Sequence, residues 1–263
     1  MAMSRRVEEL DAELSRDFSL PRDTEAGAQR TVSRLGHFAS VMSKWTDAFV
    51  ELELGTGATI ASCVADELAG RSQLLEEIKR FDASLITGPM CEERQYWTPI
   101  GRSALSGEAP TEGRFIVPHT ERAAAVKPFE FGLYTSTANA AGVSMWRAFL
   151  GPGGSLRLPL PRYTWMLEID KEITVAEIGS ATAWVNFVSS HPRVVGECVF
   201  PDWSDIAQSV DAVHFTLPAI AAAQGFCFRT SLGIIPAAFW DVETTFWLRW
   251  CFSHAHGVES ASV

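Results

Sequence analysis

The chain has 263 residues, 47% of them hydrophobic, and a formal net charge of -10. The apolar share excludes global disorder and is ample for a sizeable core. The acidic balance argues against a general nucleic-acid binder, which needs clustered Lys and Arg to neutralise phosphates, while a nucleotide ligand needs only one or two well-placed arginines.

Cys63, Cys91, Cys198, Cys227 and Cys251 are scattered and odd in number, and none lies in a CxxC pair. Reduced core thiols suit that pattern better than a disulfide framework or a zinc site. The first residues, MAMSRRVEELDAELSRDF, hold no apolar run fit for a signal peptide, and no segment is long enough to span a bilayer. The expectation is a soluble, cytoplasmic protein.

Residues 1–17 read as a charged helix, broken at Ser19-Leu20-Pro21. From Thr24 to Leu54 apolar residues recur at helical spacing: Val32, Leu35, Phe38, Met42, Trp45 and Phe49. Gly55-Thr56-Gly57 stops that helix, and a second runs from Ala58 to Phe81 with Ile60, Val64, Leu68, Leu75 and Ile78 on its face. Together they predict an antiparallel hairpin. The stretch from Asp82 to Pro110 is irregular, and the organisational boundary is placed there: a helical N-terminal region, residues 1–105, and a β-rich part, residues 106–263.

Beyond the boundary the pattern changes to alternating or short apolar runs. Strands are expected at Arg114–Val117, Phe131–Thr135, Tyr163–Ile169, Thr174–Ile178, Ala212–Phe215, Gly225–Arg229 and Thr244–Phe252. Short helices are expected at Ala138–Leu150, Ser180–Ser190, Asp205–Val210 and Pro218–Gln224. Strands and helices that mix without a regular βαβα alternation predict an α+β fold rather than a doubly wound sheet.

Three stretches are unlike ordinary core sequence. In FIVPHTER, Phe115 to Arg122, a strand-like run ends in an imidazole, a hydroxyl and two charges. In FGLYTST, Phe131 to Thr137, three hydroxyl residues follow a glycine and a tyrosine, where they can cap a helix or face a polar ligand. In WDVETTFWLRW, Trp240 to Trp250, Asp241 and Glu243 stand at the mouth of an aromatic strand.

Taken in order, these motifs resemble the ADP-ribosyltransferase superfamily over residues 110–252. FIVPHT is similar to the His-Gly-Thr strand of the poly(ADP-ribose) polymerase-like branch, although the glycine after His119 is absent. GLYTST is similar to that branch's Gly-x-Tyr strand, to the Ser-Thr-Ser strand of the toxin branch and to the tyrosine-bearing strand of RES-type NADases. DVETTFWL is similar to the motif that carries the catalytic glutamate.

The resemblance implies an NAD-consuming enzyme in which NAD is the substrate and no metal is expected. It implies a catalytic Glu243, a Tyr134 that stacks on nicotinamide with Trp240 or Trp146 closing the other side, and His119 with Thr120 on the adenosine-side ribose. Arg114, Arg122 or Arg147 would neutralise the pyrophosphate, and Ser136 would order the glutamate or a ribose hydroxyl. The acceptor of ADP-ribose is left open among a protein, a nucleobase, a small molecule and water, with duplex nucleic acid disfavoured by the charge.

Each residue also has a plainer reading. Glu243 is an ordinary strand-start carboxylate, Tyr134 a strand aromatic before a helix cap, and His119 a loop histidine. Arg249, inside an apolar strand, pairs with a carboxylate. His214, within DAVHFTL, is a satisfied core or pocket-lining residue. His254 and His256 form an H-x-H that lacks a third ligand, and Cys91 has no partner histidine. A non-catalytic binding protein with an aromatic pocket, or a metal-dependent small-molecule enzyme using His119, His254 and His256, are the alternatives. The N-terminal helices would supply a partner-docking or homo-oligomer surface.

Overall fold

The computed structural model describes residues 50–53, 90, 93–99, 107–119, 125–138, 144–146, 162–170, 172–237, 240 and 242–261, with single residues between 72 and 79. The helix expected over residues 1–17 and most of the expected hairpin lie outside the described residues. Within the second expected helix, Ser72, Gln73, Leu75, Glu76 and Lys79 are helical, and Leu75 packs against the main core.

The architecture is α+β, with mixed sheets and a few short helices. A five-stranded sheet has the order β1 (Val50–Glu53), β9 (Phe226–Thr230), β10 (Gly233–Pro236), β7 (Cys198–Pro201), β6 (Pro192–Val195). A four-stranded sheet has the order β3 (Leu133–Thr135), β11 (Thr244–Trp247), β8 (Ala212–Phe215), β5 (Val175–Ile178). A three-stranded sheet places β4 (Arg162–Ile169) between β12 (Phe252–Ala261) and β2 (Arg94–Trp97).

Among the described residues these strands are joined by α1 (Ala181–Ser190), α2 (Trp203–Ile206) and α3 (Leu217–Ala223). Each starts on a side-chain cap. Ser180 accepts from the Ala183 N–H, Asp202 from Ser204 and Asp205, and Thr216 from Ala219. Such caps satisfy the donors that a helix start leaves free.

The four-stranded sheet is the central layer. Its strands β8 and β11 are buried at all four positions, as expected of strands covered on both faces. On one face Val213, Phe215 and Phe246 join a core with Trp184 and Val188 of α1, Ile220 of α3, and Phe226, Phe228, Val199 and Ile235 of the five-stranded sheet. On the other, Ala212 and Trp247 join a smaller core with Leu167, Met90, Cys251 and Phe252.

Several expectations need correction. Val50–Glu53 is a strand paired in parallel with β9, not the end of a helix; Val50 and Leu52 alternate with Glu51 and Glu53, a period-two pattern over four residues. Arg114–Val117 is not a strand: Glu112–Arg114 is a 3-10 turn followed by irregular chain that runs into Pro118. Ala138 and Ser144 form a β-bridge, so the helix expected from Ala138 is absent there, and Met145 and Trp146 are helical. The expected Asp205–Val210 helix begins earlier, at Trp203, because Asp202 is its cap.

The aromatic run Thr244–Phe252 is two strands. Asp211 breaks it: its carbonyl accepts from Leu248 and Arg249, and its carboxylate lies 3.2 Å from the Arg249 guanidinium and accepts from Thr174 N–H at 2.9 Å. Arg249 does pair with a carboxylate, that of Asp211. Strand β2 lies within the stretch expected to be irregular, and strands β6, β7 and β10 match no expected strand. Cys198, Cys227 and Cys251 are reduced, in no disulfide; Cys63 and Cys91 lie outside the described residues.

Candidate active site

In the central sheet, register alone assembles a row of polar side chains. Thr245 of β11 lies opposite Thr135 of β3 on one side and His214 of β8 on the other, and His214 lies opposite Glu177 of β5. Opposed residues project from the same face of a sheet. The next row, Tyr134, Phe246, Val213 and Ala176, therefore faces the larger core, and all four belong to it or pack against it.

Glu243 enters at the end of this polar row, one residue before β11. Its side chain is buried and its oxygens are surrounded by donors. Ser136 Oγ lies 2.7 Å from Oε2, the Thr137 N–H donates to both oxygens at 3.1 and 3.3 Å, and His214 Nε2 lies 3.0 Å from Oε1. Ser136 is held in turn by the sheet junction. Its backbone exchanges two 3.0 Å hydrogen bonds with Tyr96 of β2, and this bridge joins the three-stranded sheet to β3. Trp146 N–H donates to the same Ser136 hydroxyl at 3.4 Å.

The network continues away from the carboxylate. Trp247 Nε1 donates to Thr135 Oγ1 at 2.8 Å, Thr135 donates to Gln95 Oε1 at 2.7 Å, and Gln95 Nε2 donates to Thr137 Oγ1 at 3.0 Å. Gln95, Thr135 and Ser136 are fully buried, so each of these bonds replaces one to water that burial removes. A network satisfied in this way holds the carboxylate in one rotamer.

His214 is buried between two carboxylates. Its Nε2 meets Glu243, and its Nδ1 has no hydrogen-bond partner among the described residues, with Glu177 Oε2 3.6 Å away. Burial disfavours the charged ring. The hydrogen bond and charge of Glu243, with the charge of Glu177, outweigh it and raise the pKa of His214 above the ordinary histidine value.

An aromatic group belongs to the face that carries the larger core. The Tyr134 ring stacks on Phe246 at 4.5 Å and lies 6.2 Å from Trp240, which stacks on Phe215 at 3.6 Å. The Tyr134 hydroxyl donates to the Pro128 carbonyl, and burial pushes its pKa well up, so it stays a neutral phenol.

Of the residues expected to act together, Glu243 meets Ser136, and Tyr134 lies beside Trp240 in the aromatic group of the larger core. His119 is exposed in the irregular stretch after the 3-10 turn, and no hydrogen bond or ion pair joins it to the cluster among the described residues. Arg114 is exposed and paired with Glu108. Thr120, Arg122 and Arg147 lie outside the described residues, as does Asp241. His254 and His256 lie on β12 against Glu168, at 3.6 and 3.2 Å. Among the described residues no group of three or more His, Cys, Asp or Glu is arranged to hold a metal ion, and no helix is long and apolar enough to cross a membrane.

His214 is buried, as expected of a core or pocket-lining residue, but its contact with Glu243 and the roles of Gln95, Thr135 and Thr137 were not legible in the motifs. One signal was present for His214, a histidine inside the wholly apolar run of a central strand. For Gln95 there was none. Comparison of the chain with protein-family models, curated proteins and solved structures gives no significant match.

Proposed function

We propose that this protein consumes NAD, cleaving the bond between nicotinamide and ribose and passing ADP-ribose to an acceptor or to water, with Glu243 as the catalytic carboxylate. The observation that carries this reading is the Ser136 hydroxyl 2.7 Å from Glu243 Oε2. The C1′–N bond breaks with its electron pair leaving on nicotinamide, and positive charge develops on the ribose ring. A carboxylate already held by fixed donors meets that charge without reorganising. The acceptor then bonds to C1′ and gives up a proton.

The resemblance of GLYTST and DVETTFWL to ADP-ribosyltransferase strands supports the same assignment, since the two motifs meet in space. One observation favours the competing account, a non-catalytic aromatic binding module: Glu243 is only 6% exposed and its oxygens are engaged by three residues.

Nicotinamide release from NAD by the wild type and by Glu243→Gln separates the two. The catalytic reading expects release that falls at least about 100-fold in the variant, the scale of losing one transition-state contact. Absence of release with and without candidate acceptors, together with absence of NAD binding by calorimetry, leaves the binding module as the account.

A further inference from the structure

Four aromatic rings stand around one cation. The Lys127 ammonium lies 5.6 Å from the Phe129 centroid, 5.8 Å from Tyr134, 5.6 Å from Trp146 and 5.9 Å from Trp240. Each distance is within the range at which a ring face attracts a positive charge, and tryptophan attracts most strongly. Three of the four rings are fixed by contacts that do not involve Lys127. Trp240 is stacked on Phe215, Tyr134 is stacked on Phe246, and Trp146 Nε1 donates to Thr98 O at 3.3 Å.

The backbone that carries the lysine is anchored separately. Trp203 Nε1 donates to the Ala125 carbonyl at 2.8 Å, and the Tyr134 hydroxyl donates to the Pro128 carbonyl. Two ring donors thus pin the chain on either side of Lys127, independently of its side chain. Phe129 on the outer side is 69% exposed, an unusual position for a large apolar ring unless it borders something.

We propose that this four-ring cage is a binding site for an organic monocation with delocalised or quaternary nitrogen, such as a pyridinium ring, and that the Lys127 ammonium occupies it in the free chain as a displaceable competitor. A pyridinium matches the site better than an ammonium does. It is flat, so it stacks as well as carrying charge, and it is weakly hydrated, so entering the rings costs it less solvation. One cage residue is linked to the buried carboxylate through its backbone, because the Trp146 main-chain N–H and Glu243 share the Ser136 hydroxyl.

This inference deepens the NAD reading, whose nicotinamide ring carries that charge until its bond to ribose breaks, and rests on that reading only for the identity of the natural ligand. Loss of the charge on cleavage would then favour release of neutral nicotinamide and return of the lysine.

The test uses the full chain with 1-methylnicotinamide as the cationic probe and nicotinamide as its neutral counterpart of nearly the same shape. In the free protein the Lys127 side-chain methylene protons are expected upfield under the ring currents, and 1-methylnicotinamide moves them to exposed-lysine values while nicotinamide does not. By calorimetry, Lys127→Ala should bind 1-methylnicotinamide about tenfold more tightly, because a site nine-tenths occupied by its own lysine shows one tenth of its intrinsic affinity. Phe129→Leu in that background should weaken binding again.

Lys127→Gln, which keeps the length of the chain and loses the charge, gives the same comparison if the alanine variant does not fold. Lysine methylenes at ordinary shifts in the free chain, probe binding that leaves them unmoved, or equal gains for the charged and neutral probes would each overturn the proposal. Cage binding without nicotinamide release from NAD retains the cation site and discards the NAD reading. Release with no lysine displacement does the reverse.

Discussion

At the residue scale, the carboxylate cluster is a set of mutual dependencies. Ser136→Ala removes the donor nearest Glu243 and leaves the Thr137 N–H and His214 in place. A buried acceptor that loses a partner costs about 1–3 kcal/mol, so the urea midpoint should fall accordingly, and nicotinamide release should fall with it as the carboxylate loosens. Unchanged stability would mean that water already serves Glu243 in the wild type. His214 carries a pH prediction. Its folded-state pKa lies above the ordinary value of 6.5, so folding favours the charged ring. That stability is fully present below about pH 6.5 and is lost as pH rises through the elevated folded value. The difference in unfolding free energy between wild type and His214→Gln should therefore be largest near about pH 5 and shrink toward about pH 9. A difference that grows with pH would show that the ring is buried neutral.

At the scale of elements, one glycine holds the entry to β3. Gly132 sits at φ +73°, and a Cβ there would lie 2.3 Å from Phe246 Cε2 and 2.6 Å from the Trp247 carbonyl oxygen. The second neighbour is backbone and cannot step aside. Gly132→Ala should cost more than about 2 kcal/mol, from left-handed strain together with overpacking, and it should tilt the Tyr134–Phe246 stack. Chemical denaturation reads the first effect and near-ultraviolet circular dichroism the second; wild-type behaviour in both would remove the close approach from the account. How far elements were readable follows the same logic. Strands β4, β5, β8 and β9 and helix α1 stood out in the sequence because alternation, a continuous apolar run or a Ser cap is a local signal. Strands β6, β7 and β10 carry none: Val194 and Val195 are 59% and 50% exposed on an edge strand, and prolines close β7 and β10. The division of β11 from β12 is set by Asp211, nearly forty residues upstream of Arg249, which no window on the aromatic run contains. Ser136 and Glu243 were readable as motifs, but their meeting depends on the antiparallel pairing of β11 with β3. Lys127 among its rings depends on four separate segments.

At the scale of the molecule, the five-stranded sheet closes with a strand from far away in the chain. Val50–Glu53 pairs in parallel with Phe226–Thr230, which also pairs antiparallel with β10. Without β1, strand β9 would become an edge with unpaired backbone groups, although Phe226 and Phe228 anchor the main core. Successive N–H groups of a strand point to opposite sides, and among the described residues β1 has a neighbour on one side only. Replacing both Glu51 and Leu52 by proline therefore removes a ladder donor whichever of the two faces β9. Amide exchange at Phe226–Thr230 should accelerate at the residues that bond β1, while those paired with Gly233–Pro236 stay protected. Because β9 is continuous with the core that backs the Tyr134–Phe246 stack, unfolding stability should fall as well. Unchanged exchange along β9 would mean that this sheet ends at β9 and that the segment before residue 54 is not part of the fold that supports the carboxylate.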